Sequence, residues 1–162
     1  MKTIRFKALK AAAAIALLSF TLVACDKDEN IDNNNGDPVY STTAQASGSQ
    51  TTPPTTSSGS ATLVGEYNAR TNNWEYRINW NGLATTASAI QVHGPAIAGA
   101  AAEMQIALAI TMPGLTGKAE GNVTLTEQQE AYLLANELYF TIINATSVNG
   151  EVRGQIIANR VK

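Results

Sequence analysis

The sequence predicts an all-β protein: an antiparallel, Greek-key-like β-sandwich or barrel of about eight strands with one short helix. Three observations lead to this prediction. From Val39 onward, polar and apolar residues alternate with the two-residue period of strands that bury one face. Gly, Asn, Thr and Pro interrupt the alternation at intervals typical of short strands. One short helix is predicted, over residues 127–136.

The clearest strand covers residues 74–80, where large apolar residues occupy every second position. Turn residues flank it, Asn72-Asn73 before and Asn81-Gly82 after. Because successive side chains of a strand point to opposite faces, we expect the row from Trp74 to Trp80 in the core and Arg77 at the surface. The alternative use of this row is an exposed aromatic platform for sugars.

The same alternation predicts the other strands, and turn or loop residues separate them. They are residues 40–47, 60–68, 87–93, 104–110, 117–125, 138–145 and 152–159. Thr126 can cap the helix, with Gln129 at the capping-box position. Residues 50–58 form a loop, because their paired prolines cannot donate to a central ladder. Residues 96–102, small and apolar, fit either a compact loop or a helical turn.

Residues 1–24 have the organisation of a signal peptide. Their basic region contains Lys2, Arg5, Lys7 and Lys10. Residues 11–20 are apolar but too few to span a bilayer. Leu22-Val23-Ala24-Cys25 then resembles the lipobox of bacterial lipoproteins, in which the cysteine becomes the lipidated N-terminus. The resemblance implies a lipid on Cys25 and a membrane as the partner of that lipid.

Residues 25–38 carry the cysteine and a polar, acidic stretch that we expect to be a flexible tether. Lys27-Asp28-Glu29 resembles the export signal of Bacteroidetes lipoproteins, which implies the outer membrane and display at the cell surface. A solvated acidic linker is the alternative. The tether leads to one β domain, residues 39–162, and the whole chain is expected in the bacterial cell envelope.

Composition excludes several classes of function. Cys25 is the only cysteine, so no disulfide can form within the chain. Residues 1–24 hold four of the 11 basic residues and none of the 13 acidic ones, so cleavage leaves a net charge of −6. This charge does not favour nucleic acid as a partner. The β domain contains no aspartate, which excludes a Ser-His-Asp triad, an EF-hand loop and an aspartic dyad.

The candidate site residues of the β domain are His93, Gln91, Glu151 and Arg153. His93 is the only histidine, and a zinc site needs about three or four ligands. Gln91 shares its strand face but is a poor ligand, so we predict no metal and no cofactor, with His93 hydrogen-bonded at a strand end. Glu151 and Arg153 project from one strand face. They form either a recognition patch or a structural ion pair or carbonyl clamp. No catalytic residue is identified, which predicts a protein that is not an enzyme.

Several segments, in this order, resemble one family. They are residues 45–54 (QASGSQTTPP), 74–83, 91–96 (QVHGPA) and 150–156 (GEVRGQI). Together they resemble the CHRD domain, named for chordin, over about residues 40–157. In chordin these domains accompany modules that bind growth factors. The family pattern often has histidines where this chain has Gln91 and Ile143, which counts against metal or histidine chemistry here.

Three functions are compatible with these features. The first is a non-enzymatic envelope lipoprotein whose CHRD-like domain binds another protein or supports surface structure. The second is a surface carbohydrate-binding module, which would need an exposed aromatic row. The third, a metal protein or an enzyme, is disfavoured by the single histidine and the absence of aspartate.

Overall fold

The computed structural model describes residues 37–161. The predicted signal peptide, the lipidation site Cys25 and residues 26–36 of the tether lie outside the described residues. The strands are β1 Val39–Ser47, β2 Ser60–Asn68, β3 Asn73–Asn81, β4 Ala87–His93, β5 Met104–Leu108, β6 Gly117–Thr124, β7 Tyr139–Asn144, β8 Ser147–Gln155 and β9 Ile157–Arg160. A 3₁₀ turn, Gly48–Gln50, follows β1, and the helix α1 is Glu127–Leu134.

All the strands belong to one antiparallel sheet, which confirms the predicted all-β class. The order is β5-β4-β7-β8-β1-β2-β3-β6, and β9 pairs with β1. The two edges, β5 and β6, are consecutive in the chain, and the segment between them helps to join them. The Thr111 and Met112 amides donate to the Lys118 carbonyl of β6. The sheet is therefore a nearly closed barrel.

The predicted aromatic row lies in the core. Trp74 and Trp80 are 0% and 2% exposed. Each indole N–H has a partner there: Trp74 donates to the Thr42 hydroxyl at 2.9 Å and Trp80 to the Gly114 carbonyl at 3.0 Å. Arg77, at an intervening position, is exposed. The predicted assignment of the two faces is confirmed, and this row forms no exposed platform for sugars.

The predicted capping box is also confirmed. The Thr126 hydroxyl accepts from the Gln129 amide, and the Gln129 side chain accepts from the Thr126 amide. The helix ends at Leu134, two residues earlier than predicted, because Asn136 adopts a left-handed conformation with φ of 59°.

Residues 96–102 form a loop. No helix within residues 37–161 is long and apolar enough to cross a membrane.

The prediction of one strand over residues 152–159 is wrong, because two strands occupy this region. β8 begins at Ser147, and the chain leaves it at Ile156 before β9 pairs with β1. The Ile156 amide donates to the Leu138 carbonyl at 2.8 Å, and its side chain is fully buried. The adjacent apolar residues Ile156 and Ile157 interrupt the period of two, but the interruption alone does not show that a second strand begins at Ile157. At the start of the described residues, the Pro38 carbonyl accepts a hydrogen bond from the Ala69 amide. The last residue of the predicted tether therefore already contacts the domain.

Ile78→Ala should lower the free energy of unfolding by about 2–5 kcal/mol, because it leaves a cavity beside buried indoles. Arg77→Ala, the control, removes an exposed ion pair with Glu120 and should cost about 1 kcal/mol or less. Chemical denaturation of both variants measures the difference. Similar losses in the two variants would contradict the assignment of the strand faces.

Candidate functional site

A cavity of about 260 Å³ lies on the outer face of β4, β7 and β8. Its floor is built by side chains that alternate with core residues along these strands: Gln91 and His93 from β4, Tyr139 and Thr141 from β7, and Arg153 from β8. The residues between them point into the barrel and are fully buried, as Phe140 is in β7. The loops that contain residues 51–52 and 101–102 form walls.

Tyr139 is the centre of the floor, because residues from both neighbouring strands contact its ring. The His93 ring is stacked on it, with a centroid separation of 5.1 Å and an interplanar angle of 7°. The Arg153 Cζ lies 3.5 Å from the Tyr139 centroid, a cation–π contact. β4 and β8 flank β7, so the ring lies between His93 and Arg153. The three side chains form one stack across three strands, which we call the His93–Tyr139–Arg153 stack.

Backbone groups of the loop over residues 96–102 hold the stack in place. The Tyr139 hydroxyl accepts from the Ala102 amide at 3.1 Å. His93 Nδ1 lies 3.1 Å from the Ala102 carbonyl oxygen, and since a carbonyl only accepts, Nδ1 carries a proton. Tyr139 is 4% exposed, so its ring has little freedom to move. The floor of the cavity is therefore fixed before any ligand arrives.

Arg153 is a buried cation. Its guanidinium donates to the Thr52 hydroxyl at 3.0 Å and to the Ile97 carbonyl at 3.4 Å. No carboxylate of residues 37–161 lies within 4.0 Å of it. Burial lowers the pKa of Arg153, and Tyr139 acts in the opposite direction. Because the ordinary pKa of arginine is far above neutrality, the side chain keeps its charge.

Two polar side chains on the cavity floor have no partner within the described part of the chain. The Thr141 hydroxyl belongs to a residue that is 5% exposed, and its oxygen is buried without a hydrogen bond. The Gln91 amide, half-buried, also lacks a hydrogen bond to residues 37–161. Buried polar groups are nearly always hydrogen-bonded, so the Thr141 hydroxyl is available to a molecule in the cavity. The half-buried Gln91 amide lines the same space.

Glu151 lies outside this cavity and ties other parts of the domain together. Its carboxylate is 1% exposed and accepts from the Ser57 hydroxyl, the Ala84 amide and the Asn144 side chain. These donors come from the loop of residues 50–58, which we call the proline loop, from the segment after β3 and from the end of β7. Glu151 and Arg153 therefore contact different parts of the chain and form no ion pair with each other.

A model of the CHRD domain matches residues 42–156, which is more than half of the chain. The chain belongs to the CHRD domain family. No match was found among curated proteins or among solved structures. The matched region of the CHRD domain extends from β1 to the end of β8, so it includes the whole floor of the cavity.

The closing segment of the CHRD domain, residues 150–156, positions both buried charges. Gly150 has φ of 106°, a conformation that favours glycine. At Gly154 an added Cβ would lie 2.9 Å from the Gln45 carbonyl oxygen, so only glycine allows β1 and β8 to approach this closely. Arg153 and Glu151 stand between these two glycines, and the tight backbone sets where each side chain points.

Sequence reasoning found part of this site. Gln91, His93 and Arg153, predicted as candidates, are brought together on one cavity floor. Tyr139 and Thr141 were missed, although both alternate in the sequence of β7 with the core residues Phe140 and Ile142, which places them on the opposite face of the strand. No group of three or more His, Cys, Asp or Glu residues within positions 37–161 could hold a metal ion. That His93 binds no metal stays a prediction.

Glu151→Gln should lower the free energy of unfolding by about 1–3 kcal/mol, because an amide NH₂ would face groups that themselves donate. Glu103→Gln, the control, makes the same change at an exposed position and should leave stability almost unaltered. Thermal and chemical denaturation measure both variants. Equal stability of the Glu151→Gln variant and the parent would contradict a tightly bonded carboxylate.

Proposed function

We propose that this chain is a lipid-anchored protein of the bacterial cell envelope whose CHRD domain is a non-enzymatic binding module for another protein. The observation that carries the proposal is the cavity built around the His93–Tyr139–Arg153 stack. Tyr and Arg are enriched among the few residues that dominate the energetics of protein interfaces, especially where neighbouring contacts exclude water. Here both side chains are already ordered, so binding would cost little side-chain entropy.

Exposed apolar side chains beside the cavity support a protein partner. Val148, which lines the cavity, is 71% exposed. Ile97 is also 71% exposed, and its carbonyl accepts from Arg153. A fixed polar floor with apolar groups near its edge offers both orientation and buried area to a partner surface.

The lining of the cavity favours binding over catalysis. No carboxylate, serine or cysteine from residues 37–161 lines it. His93 uses Nδ1 in its contact with Ala102, and the Thr52 hydroxyl is engaged by Arg153. A nucleophile with an adjacent base, or a pair of acidic groups, is what most hydrolytic mechanisms require.

The geometry favours a protein over a sugar as the ligand. Carbohydrate modules need an open aromatic face, and Trp74 and Trp80 are buried in the core. Tyr139 does reach the outer face, but its ring is contacted by His93 and Arg153 from the two flanking strands. It therefore offers no open platform on which a sugar ring could stack.

The envelope location rests on the N-terminal sequence, where Cys25 follows a signal-peptide pattern and Lys27-Asp28-Glu29 resembles a surface-export signal. Cys25→Ser should move the full chain from the membrane to the soluble fraction and abolish its labelling by a fatty-acid probe, because the acyl chains supply the anchoring. Thr21→Ser, a mild change in the same segment, is the control. A Cys25→Ser protein that stays labelled and membrane-bound would refute the anchor.

Binding by the cavity face can be tested with a photo-crosslinking residue in place of Val148, in intact cells. We expect a discrete protein adduct, because this side chain lines the cavity and is exposed. The matched control is the same residue in place of Val64, a 51% exposed valine of β2. Adducts absent at Val148, or identical at the two positions, would contradict a binding role for this face.

A further inference from the structure

The charge of Arg153 lacks a counterion within the described residues, although the chain as a whole is acidic. Residues 25–162 have a net charge of −6, yet within positions 37–161 the cavity is lined by an arginine and a histidine and by no acid. Arginine has about five N–H donors, and the hydrogen bonds to Thr52 and Ile97 account for two of them. Burying an uncompensated charge is costly, and an anion in the cavity would offset that cost.

Neutral hydrogen-bonding groups surround the same space. The Thr141 hydroxyl, the Gln91 amide and the Asn149 amide all line the cavity. None of the three side chains forms a hydrogen bond with another described residue. Each can donate a proton to an oxygen atom, so together with Arg153 they form a set of donors around one cavity.

The size and the charge of the cavity favour a carboxylate over a phosphate. A single planar guanidinium matches the two oxygens of one carboxylate, whereas a phosphate carries more charge to be neutralised. The volume of about 260 Å³ is just below the usual range of ligand sites, about 300–1,000 Å³, and suits one residue-sized group. Ile143 and Val148 add apolar surface to the lining, which suits the carbon atoms next to a carboxylate.

We propose that the cavity is a carboxylate subsite, in which Arg153 pairs with a carboxylate presented by the partner protein while Thr141 and Gln91 hydrogen-bond to it. The carboxylate is an Asp or Glu side chain or a chain terminus, which share this chemistry. The assignment rests on the proposed function and names the group that the partner places in the cavity.

The test uses the ¹⁵N-labelled full chain, purified in detergent, and follows chemical shifts by NMR. The probes are N-acetylglycine for a chain terminus and N-acetylaspartate amide for a side chain. N-acetylglycinamide is the neutral control, and inorganic phosphate and glucuronate are the competing ligand classes. We expect saturable shifts at Gln91, Thr141 and Arg153 with at least one carboxylate, and none with the neutral amide.

Arg153→Gln should weaken carboxylate binding about tenfold or more, since a charged hydrogen bond is lost. Replacing the buried Arg153 can unfold the domain, so a second variant tests the same site with Arg153 in place. Thr141→Val keeps the shape of the Thr141 side chain and removes its hydroxyl, and it should weaken carboxylate binding about threefold to tenfold. Arg77→Gln, an exposed arginine on β3, should change nothing.

Equal shifts with N-acetylglycinamide, no saturable shift with either carboxylate, or tighter binding of phosphate or glucuronate would each overturn the assignment. These outcomes are independent of the Val148 crosslink. A protein adduct at Val148 together with no response to carboxylates would support the binding module and contradict only the carboxylate subsite. Carboxylate shifts without any adduct would show a carboxylate site in the cavity and would contradict a protein partner as the source of that carboxylate.

Discussion

The burial of two opposite charges on one strand, without an ion pair between them, is the constraint that shapes this domain. Glu151 and Arg153 are 1% and 3% exposed, and both belong to β8. A buried charge is tolerated only when hydrogen bonds or a counterion replace water. Each side chain therefore requires polar partners from elsewhere in the chain, and those partners come from the loops after β1, β3 and β4 and from the end of β7.

The proline loop shows this dependence, because both charges hold it. Thr52 accepts from the Arg153 guanidinium, and Ser57 donates to the Glu151 carboxylate. Between them, the Thr55 hydroxyl donates to the Glu151 backbone carbonyl at 2.9 Å. A loop without regular structure is thus anchored along its length, and two of its residues, Thr51 and Thr52, form a wall of the cavity. The arrangement that stabilises the fold at Glu151 also sets the shape of the site at Arg153.

Much of the fold could be predicted because it depends on local patterns. The alternation in β3 predicted its faces, and the Thr126–Gln129 pair predicted the start of the helix. The break at Ile156 was not predictable from alternation, because it depends on a hydrogen bond to Leu138, a distant residue. The candidate site was likewise predictable only where the local sequence marks a residue. Gln91, His93 and Arg153 are recognisable from their own sequence, whereas the role of Tyr139 depends on its position between β4 and β8.

The state of the Arg153 side chain tests this account most directly, and ¹⁵N NMR of the arginine Nε–H groups can measure it. The account predicts a resolved Arg153 Nε–H signal, shifted by the ring current of Tyr139 and slow to exchange with water. The exposed Arg70 and Arg77 provide the reference within the same spectrum. An Arg153 signal that overlaps theirs and exchanges equally fast would mean that the guanidinium is solvated, and it would contradict a buried cation held on Tyr139.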